Sequence, residues 1–216
     1  MGRPENASLA GLPAAYILQQ LADFKSGSRK SSEPRHGPTK AMIGVAKKAT
    51  LAEVQRAAEY YSSLKPRPWI RVVETTTVPR THVAGWMLVA DAPGTMESIG
   101  ERIIETPENL ERTELRDDRS GFIAYVPVGS VARGKALSAG GGGKAACATC
   151  HGPGLRGLGK APALAGRSPS YLVRQLYDFQ SGARAGPGSL AMKPAVVRMT
   201  VGDMVAIAAY VGSLTP

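Results

Sequence analysis

The sequence predicts a mainly α-helical chain, built as two related helical lobes, the first incomplete, joined by an irregular or β-containing insertion. Three observations carry this. Leu9–Gly27 (LAGLPAAYILQQLADFKSG) and Leu164–Gly182 (LAGRSPSYLVRQLYDFQSG) share ten of nineteen residues at an offset of 155. Ala41–Leu64 and Ala191–Leu214 share seven of twenty-four at an offset of 150, including Met42 with Met192 and Tyr60 with Tyr210. Between the copies, the stretch from Pro66 to Ser130 changes character and is rich in Val, Ile and Thr. A repeat of this length means two copies of one small unit. The expected divisions are 1–65, 66–130 and 131–216.

The elements follow in order. Tyr16–Ser26 and Tyr171–Ser181 space their apolar residues as helices, and Gly27 and Gly182 fit the left-handed position that ends them. Thr50-x-x-Glu53 and Thr200-x-x-Asp203 are capping boxes that start the last helix of each copy. Lys65-Pro66-Arg67-Pro68 is a stiff exit from the first copy. Trp69–Val78 and Val83–Ala90 read as short strands, and Gly121–Val128 as another. Ile103–Asp118 is ambiguous, and the acidic stretch Glu97–Asp118 reads as a solvated face. Ala139–Gly143 is a flexible lead into the second copy.

Composition sets limits. The 216 residues are 43% hydrophobic and 20% charged, which is globular. No apolar run approaches the ~18 residues of a membrane span. Met1–Leu9 does not read as a leader. Two cysteines are too few for a disulfide scaffold. The net charge of +10 is uneven: +5 over residues 1–65, −1 over 66–143 and +6 over 144–216. The basic residues are dispersed and no nucleic-acid motif accompanies them, so nucleic acid is not the expected partner.

The chemistry lies in Cys147-Ala148-Thr149-Cys150-His151. Cys-x-x-Cys-His is the attachment signature of c-type haem. Two thiols at this spacing bond the two vinyl groups on one porphyrin edge, and the adjoining imidazole faces the iron. A zinc site needs a second ligand pair, and the sequence has no other cysteine. His36 and His82 lack ligand spacing. A redox dithiol expects a βαβ setting, and this motif lies among glycines. The sixth iron ligand must come from elsewhere. A methionine thioether there raises the reduction potential. Met192 lies on a loop between helices and alone has a counterpart, Met42, in the first copy. Met199 adjoins a helix cap, and Met204 lies inside the last helix, where the core takes it.

Residues 131–216 resemble a class I cytochrome c domain, through Gly134-Lys135-Ala136-Leu137, CATCHG at 147–152, LAG at 164–166, YLVRQLYDFQSG at 171–182 and Met192. The whole resembles the soluble two-haem cytochromes of the c-four type, so both lobes are expected to be cytochrome c-like. The resemblance implies thioethers at Cys147 and Cys150, His151 as proximal ligand and Met192 as distal ligand. It implies a Pro162 carbonyl accepting the His151 Nδ1 proton, and a pocket wall of Tyr171, Leu176 and Phe179. The implied function is single-electron transfer in the periplasm, within a respiratory chain. The alternative is the haem subunit of a periplasmic oxidoreductase, dehydrogenase or peroxidase-like. Expected partners are redox proteins such as a terminal oxidase or a periplasmic dehydrogenase, with association to a membrane complex also open. Lys144, Arg156, Lys160, Arg184 and Lys193 surround the motif in sequence and would meet an acidic docking face. One covalent haem c is expected here. At an offset of 155 the first copy's motif would fall upstream of Met1; either the first lobe has lost its haem and remains as a structural unit, or the chain begins further upstream, in which case a second haem and an export signal are expected there.

Overall fold

Three helices make the first lobe in the computed structural model, which describes residues 3, 4, 6–143 and 145–216. α1 (Ala14–Ser26) ends at Gly27, whose φ of 80° is the left-handed cap that glycine supplies without strain. α2 (Gly37–Lys48) is capped by the His36 ring, and α3 (Leu51–Ser63) by the Thr50–Glu53 capping box. α1 packs on both others, and its Ile17 meets Leu12 and Ala58 in a small core.

The chain then builds β1 (Ile70–Glu74), β2 (Thr77–Pro79), β3 (Thr81–Ala84), β4 (Met87–Ala90), β5 (Met96–Ser98), β6 (Ile104–Pro107), the short α4 (Leu110–Glu114) and β7 (Phe122–Val126). β7 is central in a three-stranded sheet, parallel to β1 and antiparallel to β6. β2 pairs with β5, and β3 with β4. Two expected strands are corrected. Trp69–Val78 breaks into β1 and β2, because Thr75 Oγ1 accepts from the Thr77 N–H and turns the chain. Val83–Ala90 is a hairpin turning at Gly85 and Trp86, with φ of 53° and 64°. Two successive positive φ values match the twist of a two-residue hairpin turn. The ambiguous Ile103–Asp118 resolves into β6 and α4.

The second lobe contains α5 (Ser130–Ser138), the single turn α6 (Ala148–His151), α7 (Pro169–Gln180), the short α8 (Lys193–Val196) and α9 (Val201–Ser213). α9 buries nine of its thirteen residues because α5, α7 and β1 all pack against it. α5 crosses it at backbone contact through Gly134: a Cβ there would lie 1.9 Å from the Ala206 carbonyl oxygen. Met204 and Met199 are both buried in the core with Leu155, Leu172, Val196 and Ile207.

The sheet is fastened to this lobe. Glu105 of β6, 2% exposed, accepts from the Ser170 N–H at 2.7 Å and from the Ser168 hydroxyl at 2.8 Å. Its carboxylate thus lies at the positive N-terminus of α7. This corrects the reading of Glu97–Asp118 as wholly solvated. Glu74, at the end of β1, likewise accepts from the Val131 N–H at 2.8 Å, in the first turn of α5.

Candidate functional site

α6 is one helical turn, and it sets the geometry of the motif. The Cys150 and His151 N–H groups both donate to the Cys147 carbonyl, so Cys147 and Cys150 stand one turn apart on one side. Cys147 is anchored by its own N–H to the Ser138 carbonyl of α5 at 2.9 Å. Its side chain packs against the core, and Cys150 is exposed. After His151 the chain turns sharply at Gly152, with φ of 76°. A Cβ there would lie 2.5 Å from the Gly157 carbonyl oxygen, and Gly157 N–H donates back to the His151 carbonyl.

This return brings Pro162 over the imidazole. His151 Nδ1 lies 2.8 Å from the Pro162 carbonyl oxygen. A carbonyl only accepts, so Nδ1 carries the proton and Nε2 keeps its lone pair for a metal. Burial lowers the His151 pKa, partly offset by the bond to Pro162, which favours the neutral ring a metal requires. Burial likewise raises the Cys147 thiol, partly offset by a hydrogen bond with Ser138. Reactive dithiols have the opposite perturbation. Among the described residues no group of three His, Cys, Asp or Glu could hold a metal ion.

Met192 ends a 3-10 turn, Pro187–Met192, and packs half-buried against the same core as Cys147. Leu176 and Phe179 pack there as well. The sequence counterpart Met42 lies inside the regular helix α2 and is 36% exposed. With Phe24, His36 and Ile17 it lines a cavity of about 290 Å³ in the first lobe. Tyr171 and Gln175 of the second lobe close that cavity, so Tyr171 stands on a wall between the lobes. His82 is a surface residue bonded through Nδ1 to Asp91 at 2.7 Å.

Of the expected basic ring, Arg156, Lys160 and Lys193 are exposed. Lys144 lies outside the described residues. Arg184 does not belong to a docking ring: it is 5% exposed and committed inside the molecule. Its Nη1 donates to Gln175 Oε1 at 2.8 Å and its Nη2 to Gln20 Oε1 at 2.7 Å. Arg29 mirrors it, donating to Gln20 Oε1 at 2.8 Å and to Gln175 Oε1 at 2.9 Å. Each glutamine oxygen therefore serves one arginine of its own lobe and one of the other. Tyr16 and Tyr171 complete the pattern by accepting from Arg184 and Arg29. Burial alone would raise the Tyr16 hydroxyl, but the charges of Arg184 and Arg29 bring it below its usual value. The backbone joins the lobes too, through Lys30 N–H to the Ala183 carbonyl and Ala185 N–H to the Ser28 carbonyl. Sequence reasoning missed this junction. The signal was present: Arg29 and Arg184 extend the 155-residue offset two positions beyond the repeated block.

The residues fit haem c. The Cys147 thiol and the Met192 thioether pack on one core, the His151 ring is buried and oriented by Pro162, the Cys150 thiol is exposed one turn from Cys147, and the buried Arg184 Nε makes no hydrogen bond among the described residues.

The family model for cytochrome c matches residues 131–215. The thiosulfate dehydrogenase electron acceptor of Thiomonas intermedia (strain K12) is 29% identical over 99% of this chain and 73% of its own length. Cytochrome c4 of Azotobacter vinelandii is 32% identical over 56% of this chain, and the match spans 65% of that protein, just under two thirds. The structure of Acidithiobacillus ferrooxidans cytochrome c4 superposes with a TM-score of 0.60 at 22% identity, over 95% of this chain and 88% of its own, a likeness of fold.

Proposed function

With residues 131–215 forming a cytochrome c domain, in a chain homologous to cytochrome c4, we propose that the protein is a periplasmic electron carrier working through one haem c held by its second lobe. When bound, haem c supplies one-electron ferric/ferrous chemistry. Cys147 and Cys150 would hold the group by thioether bonds, and His151 Nε2 and Met192 Sδ would ligate its iron. The division 1–65, 66–130 and 131–216 belongs to the same proposal.

One observation carries this reading: the 2.8 Å contact of His151 Nδ1 with the Pro162 carbonyl. It fixes the ring beside the two thiols and strengthens Nε2 as a ligand. Met192 brings a soft neutral sulfur, which favours ferrous iron and raises the potential. Held by two side-chain ligands in this way, the group would exchange electrons rather than bind substrate, and the exposed Cys150 would leave it within reach of a partner. Arg156, Lys160 and Lys193, which flank the motif and Met192 in sequence, are exposed. They favour a partner with an acidic face, an attraction that salt weakens.

Replacing Met192 by Ala tests this. The carrier reading expects loss of the methionine–iron charge-transfer band and a lower midpoint potential. An unchanged resting spectrum would overturn Met192 as ligand and favour a peroxidase-like open position. A second reading has a specific support: the Thiomonas intermedia match runs through the sheet as well as both lobes. On that reading the chain accepts electrons from a dehydrogenase as its haem subunit. Stopped-flow reduction by a thiosulfate dehydrogenase, slowed by salt, is the expected result. No reduction would leave the free carrier.

A further inference from the structure

The β3–β4 hairpin presents a tryptophan at its tip. Met87 and Val89 are buried with Trp69 and Phe122, so the base of the hairpin is fixed. The tip is Gly85 and Trp86, with φ of 53° and 64°. Glycine and asparagine are the residues such a turn prefers. A bulky side chain in the left-handed region is strained, and strain of this kind gathers at functional positions. Burial does not account for it: Trp86 is 64% exposed, and Val83 on β3 is 74% exposed.

The tip stands at the head of a basic helix face. The Trp86 ring lies by the start of α2, where a Cβ on Gly37 would meet it at 3.8 Å. Gly37, Lys40, Gly44 and Lys48 recur at i+3 and i+4 steps, so they share one face of α2. Lys40 and Lys48 are exposed, and a Cβ on Gly44 between them would meet nothing within 4 Å. Arg3 adds a cation at the tip by donating to the Gly85 carbonyl. The flanking carboxylates are engaged: Glu33, ahead of α2, pairs with Arg35, and Asp91, after β4, with His82. An exposed indole beside a row of lysines has the make-up of an interface anchor with a steering rim. A lipid surface needs no defined direction for its aromatic anchors. A socket does, and the strained turn on its rigid base supplies one.

We infer that the hairpin tip and this face of α2 form a docking surface for a protein partner, a dehydrogenase that receives Trp86 in an apolar socket ringed by carboxylates. The inference rests on the second reading above, in which the chain accepts electrons from a dehydrogenase, and the match behind that reading takes in the hairpin. The surface belongs to the sheet and the first lobe, whereas Cys147 and Met192 pack in the core of the second. Binding strength and electron exchange therefore rest on different elements.

The test uses the full-length holoprotein with a thiosulfate dehydrogenase as the probe, and affinity is measured by biolayer interferometry at low and high salt. Trp86→Asn is expected to weaken binding about thirtyfold, as loss of an interface anchor does. Its Tm is expected to stay level or rise, because asparagine accepts the left-handed turn; a tryptophan with a merely structural role would lower Tm on replacement. Lys40→Glu together with Lys48→Glu is expected to weaken binding about tenfold at low salt and to flatten the salt dependence. Lys135→Glu, the same kind of charge change on α5, is expected to stay within about twofold of native. The midpoint potential is expected to be unchanged in every variant. If Trp86→Asn does not fold, the paired lysine variant decides. Affinities within about twofold of native for both would overturn the inference. The same variants are measured on phosphatidylglycerol vesicles and by analytical ultracentrifugation. Loss of vesicle binding with dehydrogenase affinity intact would give the face to lipid, loss of a native dimer would give it to a second copy, and either would overturn the inference. A native protein that neither binds the dehydrogenase nor is reduced by it would instead overturn the reading on which the inference rests, and the inference with it.

Discussion

Replacing Gly134 by Ala separates a geometric requirement from a helix preference. On propensity alone the change stabilises α5 by about 0.8–1 kcal/mol. The structure opposes it. The new methyl would lie 1.9 Å from the Ala206 carbonyl oxygen, 2.5 Å from its carbon and 2.8 Å from Tyr210 Cβ, where ordinary contact begins at 3.4 Å. Two of those atoms are helical backbone and cannot swing aside, so α5 and α9 must part by about 1.5 Å. Overpacking of this kind costs ~1–3 kcal/mol, and a backbone clash belongs at or above the upper end. The net loss is about 2 kcal/mol, or roughly 4–8 °C in Tm for a chain of this size. Gly44→Ala is the control: it lies inside α2, and its Cβ would meet nothing within 4 Å. It is expected to gain ~0.5–1 kcal/mol. Urea unfolding followed by far-ultraviolet circular dichroism measures both. The reasoning fails if Gly134→Ala is as stable as the native protein, or if the two variants shift alike.

The remaining predictions concern two carboxylates. Glu105→Ala removes the acceptor for Ser170 N–H and Ser168 Oγ at the start of α7. Its expected cost is ~2–4 kcal/mol, since a charged acceptor is lost and buried donors remain; a loss below 0.5 kcal/mol in urea titration would show that water replaces it freely. Glu53 is held below the usual carboxylate range by the Thr50 N–H and hydroxyl. A lowered folded-state pKa gives stability that is complete above the unfolded value and lost as pH falls through the folded one. The Tm gap between native protein and Glu53→Gln is therefore expected to be constant from pH 7 to 5 and to close below pH 4.5; a gap unchanged at pH 3 would refute the capping assignment.

What the sequence made legible was local. Cys147, Cys150 and His151 lie within five residues, so one turn of chain fixes their relation whatever surrounds it. The capping boxes at Thr50 and Thr200 were readable for the same reason, being four-residue devices. What stayed hidden needed partners from far along the chain. Arg184 follows a helix end among polar residues and resembles a surface charge. Only the approach of Gln20, 164 residues away, makes it interior. Glu105 looks like its acidic neighbours until β6 carries it to α7. The Val83–Ala90 hairpin was disguised because Trp86 is not a turn former, yet it takes a φ of 64°. Periodicity places Tyr171 on a helix face, but it could not show that this face also lines the cavity of the first lobe.

The parallel pairing of β1 with β7 has a consequence for the protein as an object to be cut. Insertions that can be excised usually begin and end side by side, so that a short peptide heals the gap. Here Ile70 lies beside Phe122 and Glu74 beside Val126. The chain therefore enters the sheet at one end of the strands and leaves at the other, about 13 Å away at ~3.3 Å per residue. The sheet is a link in series between the lobes and not a loop hung from one of them. Because the lobes also meet directly through Gln20, Arg29, Gln175 and Arg184, any replacement for the sheet must keep that separation of its two ends or strain the junction.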